Sequence, residues 1–246
     1  MLDQALAHLH STPLGRSCVL RGSVLTARWV PGRRVNDLDF LVDGKWTPET
    51  LTPLVEETFA SMPGVTCGVT TIWAETEFPG VRATISVTPP HPDPLPRGEG
   101  GMFMKSVQVD ISWGELLVTP PVELEVRGRT WRTVTAEVMF GWKVHSLVEH
   151  GPRGRWHPKT MADLALLLRH VKLDRSLAKR AIELSFETQR LSLSLLDPFF
   201  DDPTWGASRG SRNKWKSYAK KSPWVTFSLA EAMAEVRAGL RPLLRG

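Results

Sequence analysis

Cysteine is scarce in this chain and long apolar runs are missing. Two cysteines, Cys18 and Cys67, stand in 246 residues, too few for a disulfide framework. Both have apolar neighbours, which predicts buried thiols in a reducing compartment. No Cys/His pair has zinc spacing. No stretch nears the roughly 20 apolar residues of a membrane span. The opening Met-Leu-Asp-Gln-Ala lacks the basic and apolar regions of a signal peptide, so the expectation is a cytoplasmic protein with no membrane partner. The hydrophobic content of 41% is that of an ordinary globular chain. The length allows one large domain or two small ones.

Charge is unevenly spread. Residues 203–246 hold nine Lys/Arg against two Asp/Glu, a balance of +7, whereas the whole chain carries +5. Within this region, Arg209 to Lys221 is interleaved with Trp215 and Tyr218 and preceded by Trp205. Basic residues with aromatics between them suit a phosphate backbone with stacked bases. The alternative is a solvated helix face with Trp215 as a core anchor.

Two carboxylates stand out in Asp37-Leu38-Asp39-Phe40. Side chains alternate along a strand, so Asp37 and Asp39 share one face and Leu38 and Phe40 the other. Either this is an edge strand with its polar face in water, or something neutralises the pair. Mg²⁺ is held by one or two carboxylates together with substrate phosphates. Gly22-Ser23, upstream, reads as a turn opening a helix, whose backbone N–H groups suit a phosphate. Downstream, Val107 to Trp113 alternates strictly, with Gln108, Asp110 and Ser112 on its polar side. If that strand lies beside the first, Asp110 joins Asp37 and Asp39, and three carboxylates could hold two Mg²⁺ ions.

These pieces resemble the polymerase-β-like nucleotidyltransferase superfamily, and within it the AbiEii/AbiGii-type toxin nucleotidyltransferases. Arg21-Gly22-Ser23-Val24-Leu25 resembles their first motif, with one glycine fewer than is typical. Arg34 to Phe40 resembles the second. Gly141-Trp142-Lys143 and Lys159-Thr160-Met161-Ala162-Asp163-Leu164 resemble two later helices, though Lys159-Thr160 replaces an Arg-Asp pair. The resemblance implies transfer of a nucleotide from an NTP to an acceptor, with release of pyrophosphate. It implies metal ligation by Asp37, Asp39 and Asp110, and phosphate binding by Gly22 and Ser23. Lys143 would neutralise the triphosphate and Asp163 would orient it. The implied acceptor is tRNA or another RNA, and the implied role is the toxin of a toxin–antitoxin or phage-defence system, with a cognate antitoxin as a possible partner. Two other classes stay open: a small-molecule, antibiotic-type nucleotidyltransferase, and a catalytically decayed RNA-binding protein on the same fold.

Lys143 is also notable without the resemblance. It interrupts an apolar stripe of Ala136, Phe140, Leu147 and Val148. Either its stem snorkels beside the core, or its ammonium meets an anion, for which Asp163 or a triphosphate would serve.

Along the chain, the pattern predicts helices over 1–10 and 24–30, strands over 17–20 and 37–43, and a helix from Thr47 to Ser61 with Thr47 as N-cap and Pro48 at N1. Strands follow near 65–75, 81–88 and 107–113, then a hairpin over 122–135 around Arg127-Gly128-Arg129. The Pro-rich stretch 89–101 cannot join a central strand and reads as a loop. Helices are expected at 136–150, 158–171, 174–190, 210–220 and 228–239. The fold class is therefore α+β: a catalytic domain with a mixed sheet over residues 1–135, of polymerase-β-like type by the resemblance, followed by a helical C-terminal domain over 136–246.

Overall fold

A computed structural model describes residues 1–73, 78–87, 106–149 and 156–245. The Pro-rich stretch 89–101 lies outside these residues. The chain forms two compact units. The first comprises Met1–Val24, Val35–Glu115 and Glu123–Arg132; the second comprises Leu25–Arg34, Leu116–Val122 and Thr133–Gly246.

The first unit is built on a mixed sheet, which makes the protein α+β. In chain order its strands are β1 (Cys18–Arg21), β2 (Asp37–Val42), β3 (Val65–Ile72), β4 (Gly80–Val87), β5 (Ser106–Ser112), β6 (Val122–Val126) and β7 (Arg129–Thr133). Their lateral order is β3-β4-β5-β2-β1-β7-β6. β2 and β5 run parallel; β1–β2, β3–β4 and β4–β5 are antiparallel. The alternation read from the sequence is what folds the sheet. Leu38, Phe40, Val81, Ala83, Ile85, Val109 and Ile111 are wholly buried. Helices α1 (Leu2–His10) and α4 (Pro48–Ala60) contribute to this core, with Leu6, Leu9, Leu51, Val55 and Phe59 buried. Thr47 and Pro48 start α4 as expected, and the Thr47 N–H donates to Thr50 Oγ1 at 3.1 Å.

A short helix, α2 (Pro13–Ser17), precedes β1. Its five residues contain Gly15 and carry no periodic signal, so nothing announces it except Pro13 behind the Thr12 cap. Cys18 is buried, and burial, with Asp43 adding, pushes its thiol up to about 12. Cys67 is half-buried, because it lies on the edge strand β3. Both thiols are free.

The second unit is helical: α5 (Ala136–His145), α6 (Pro158–His170), α7 (Arg175–Thr188), α8 (Asp197–Asp201), α9 (Arg209–Lys221) and α10 (Leu229–Leu244), with the C-terminal part of α3 (Gly22–Trp29). α8 escapes sequence reading because Leu-Leu-Asp-Pro looks like a turn. Pro198 instead occupies the first turn, where its missing N–H costs nothing. α10 runs past the expected stop at 239 despite Pro242, because Leu240 and Leu243 are buried and their packing outweighs the proline penalty. α5 is shorter than expected; Ser146 caps it. Among the described residues no helix is long and apolar enough to cross a membrane.

Candidate acidic active site

Gly22 and Ser23 meet the Asp37–Asp39 pair directly. Gly22 has φ +73°, and a Cβ there would lie 1.9 Å from Asp39 Oδ2. Glycine is therefore required twice, for the left-handed backbone and for the close approach of the carboxylate. The Ser23 hydroxyl donates to the Asp37 carboxylate and lies 3.1 Å from the Asp37 carbonyl oxygen. The Ser23 N–H points at Asp39 Oδ2 over 3.4 Å, longer than a normal N–H···O bond. The turn read as a phosphate cradle thus supports both acids, with one weakly engaged backbone donor.

The sheet register lines up four charges. In β1, β2, β5 and β4, respectively, Arg21, Asp39, Asp110 and Arg82 are successive cross-strand partners. Partners in register share a face, so the row reads plus, minus, minus, plus. Asp37 lies on the same face two residues from Asp39, opposite Gln108. Asp37 and Asp39 are partly exposed, whereas Asp110 is buried.

Asp110 already has a partner. Arg82 Nε and Nη2 donate to its two carboxylate oxygens, both at 2.7 Å. This fork geometry is the strongest form of a charge-assisted pair. The Arg82 pKa is raised, first by these hydrogen bonds, with Asp110, Asp39 and Asp37 adding electrostatically while burial opposes. At the other end of the row, Arg21 Nη1 donates to Glu115 Oε1 at 2.5 Å, which also accepts from the Ser112 hydroxyl at 3.2 Å. Arg82 was not singled out from the sequence. The signal was present in the Val81-Arg82-Ala83-Thr84-Ile85 alternation, which places Arg82 on a polar face, but the pairing register was not.

Among the described residues, no three His, Cys, Asp or Glu side chains gather as a metal-binding group. Asp37 and Asp39 fit a smaller role. Two hard oxygen donors two residues apart on a partly open face suit one Mg²⁺ ion that keeps waters or phosphates as its other ligands.

Lys143 and Asp163 lie in the second unit and pair there. Lys143 Nζ donates to Asp163 Oδ2 at 2.8 Å. Arg33 approaches the same carboxylate, Nε to Oδ1 at 2.9 Å and Nη2 to Oδ2 at 3.4 Å. Burial alone would raise the Asp163 pKa, but Lys143 and Arg33 together hold it below the usual carboxylate range. Of the two anions that could answer Lys143, the structure gives Asp163. Arg33, in the loop after α3, was missed because 130 residues separate it from its partner.

The basic stretch forms α9. Trp215 is buried against Trp156 and Phe227, and Trp205 is buried against Phe199. These tryptophans serve the core, which removes them as stacking platforms for bases. Arg209, Arg212, Lys214, Lys216, Lys220 and Lys221 are all exposed.

No family model and no curated protein sequence matches the chain.

Proposed function

We propose that this protein is a Mg²⁺-dependent nucleotidyltransferase of polymerase-β-like type. The observation that carries the reading is Ser23 bonded to Asp37 and aimed at Asp39, with both acids on one partly open sheet face. Asp37 and Asp39 would hold the cation. The Ser23 N–H, only weakly engaged, is the donor we assign to a phosphate oxygen of the NTP, and Gly22 allows that approach. Mg²⁺ supplies charge neutralisation and Lewis-acid polarisation of the phosphoryl oxygens. The acceptor hydroxyl attacks the α-phosphorus, the bond to the bridging oxygen of the β-phosphate breaks, pyrophosphate leaves, and the hydroxyl proton passes to water. Catalysis here is positioning and electrostatics, as in phosphoryl transfers generally.

We read the acceptor as RNA because the exposed cations of α9 give the protein a phosphate-binding stripe. A small cationic drug would instead require an acidic pocket. The deciding experiment incubates the protein with Mg²⁺, each labelled NTP in turn and total tRNA. Label from a particular NTP should become acid-precipitable. Asp39→Asn, which keeps shape and removes charge, should lower transfer at least about a hundredfold. Failure of every NTP to label RNA, or full activity in Asp39→Asn, would sink the reading. Label in an acid-soluble acceptor would move it to the small-molecule class. The toxin role is tested by induced expression: growth arrest by the wild type and none by Asp39→Asn.

A further inference from the structure

The outer arginine of the charge row has no assigned task. Asp110 is 7% exposed and is the register partner of Asp39, the place from which a third carboxylate would reach a metal shared with Asp39. Yet both its oxygens are taken by a fork from the neighbouring strand, at 2.7 Å each. A carboxylate held this way has its best lone pairs occupied. Its charge is also cancelled locally, and a guanidinium cannot lose its proton to release it.

We propose that Arg82 sets the cation capacity of this face. By holding both oxygens of Asp110 it withdraws the third carboxylate from ligation and limits the face to one divalent cation, held by Asp37 and Asp39. Arg82 is thus a positioning residue. The inference rests on the metal-binding part of the function proposed above, and it deepens that part by fixing the number of ions. It differs from a purely structural cross-strand pair in a measurable way. A structural pair affects melting temperature only. A capacity-setting pair also alters how many ions bind and how tightly.

The test is titration with Mn²⁺ alone, followed by loss of the free-ion electron paramagnetic resonance signal, on the full chain. Wild type should bind one Mn²⁺, lost in Asp39→Asn. Arg82→Gln frees Asp110 and removes a like charge, so it should take up a second Mn²⁺ or bind the first at least about tenfold more tightly. The double variant Arg82→Gln/Asp110→Asn, which removes both partners together, should return to one ion at near wild-type affinity. Because it leaves no uncompensated charge, it also carries the test should Arg82→Gln alone fail to fold. Two Mn²⁺ in wild type would overturn the proposal. So would unchanged binding in Arg82→Gln, or lost binding in the double variant, which would mean that Asp110 is already a ligand. In those three cases loss of binding in Asp39→Asn would leave the metal site itself standing. No Mn²⁺ on wild type or on Arg82→Gln would remove both.

Discussion

Asp163→Asn tests the strongest electrostatic statement the structure makes. Asp163 is fully buried and faces two cations, Arg33 at 4% side-chain exposure and Lys143 at 15%. The amide is nearly the same size, so the loss is one of charge rather than volume. The Lys143 ammonium and the Arg33 guanidinium would then lose the buried carboxylate they share. Breaking a buried pair by removing one partner costs about 3–5 kcal/mol. In a chain of this size that lowers the melting temperature by roughly 6–20 °C. Lys143→Met should cost less, about 1.5–3 kcal/mol, the scale of a hydrogen bond to a charged group, because Arg33 still neutralises Asp163 and the Met stem keeps the packing. Urea unfolding followed by tryptophan fluorescence gives both values. The sign of the pH dependence is also fixed. The folded pKa of Asp163 is lowered, so its contribution is complete above the unfolded value of about 3.9 and is lost as pH falls through the folded one. Asp163→Asn should lack that acid limb. A loss under about 1 kcal/mol, or a larger effect from Lys143→Met than from Asp163→Asn, would refute the reasoning.

Other expectations follow from single contacts. Gly22→Ala places a methyl 1.9 Å from Asp39 Oδ2 at a left-handed backbone position; it should abolish transfer and lower the melting temperature, and a variant with wild-type values for both would contradict the geometry. His145 packs edge-on against Phe186 at 5.4 Å, and burial lowers its pKa, with Glu149 opposing. The unfolded chain therefore binds more protons just below the usual histidine value of about 6.5, and stability should fall on acidification from pH 7 to 5. His145→Gln should flatten that limb in a series of urea titrations. Replacing Lys214, Lys216, Lys220 and Lys221 by Gln should weaken tRNA binding and reduce the steepness of its salt dependence. Fluorescence titrations at two salt concentrations read the slope, and an unchanged slope would take RNA binding away from α9.

Local features of this fold were readable; of the long-range ones, the placing of Asp110 beside Asp39 and the meeting of Lys143 with Asp163 stood as conditional readings and are met, whereas the two arginine partners were not readable. The strict alternation of Val107 to Trp113 and the apolar–polar switch at Asp37 to Phe40 gave strands whose faces could be assigned, because period two has no competing explanation there. A cap gave one helix start, Thr47-Pro48 for α4. What a face meets depends on register, and register is decided by pairings across many residues. Arg82 finds Asp110 across 28 residues, and Arg33 finds Asp163 across 130. Neither partner leaves a mark near the other in sequence. In the basic region, the reading of Trp215 as a core anchor with lysines free around it is borne out: helical phase turns Trp215 inward and the lysines outward.

The two ionic clusters also differ in what they can do. Asp163 is wholly desolvated and held by two cations. Withdrawing either cation would leave a buried charge less compensated, which favours a structural role for the cluster. Asp37 and Asp39 are partly exposed and are braced by Ser23 and the Gly22 turn. Like charges held near each other on one face repel, and Arg82 offsets part of that repulsion electrostatically. A cation bound by both acids would relieve the repulsion that remains. This is the physical ground for the proposal that the chemistry belongs on the β2 face, with the arginine at its flank setting how many ions that face accepts.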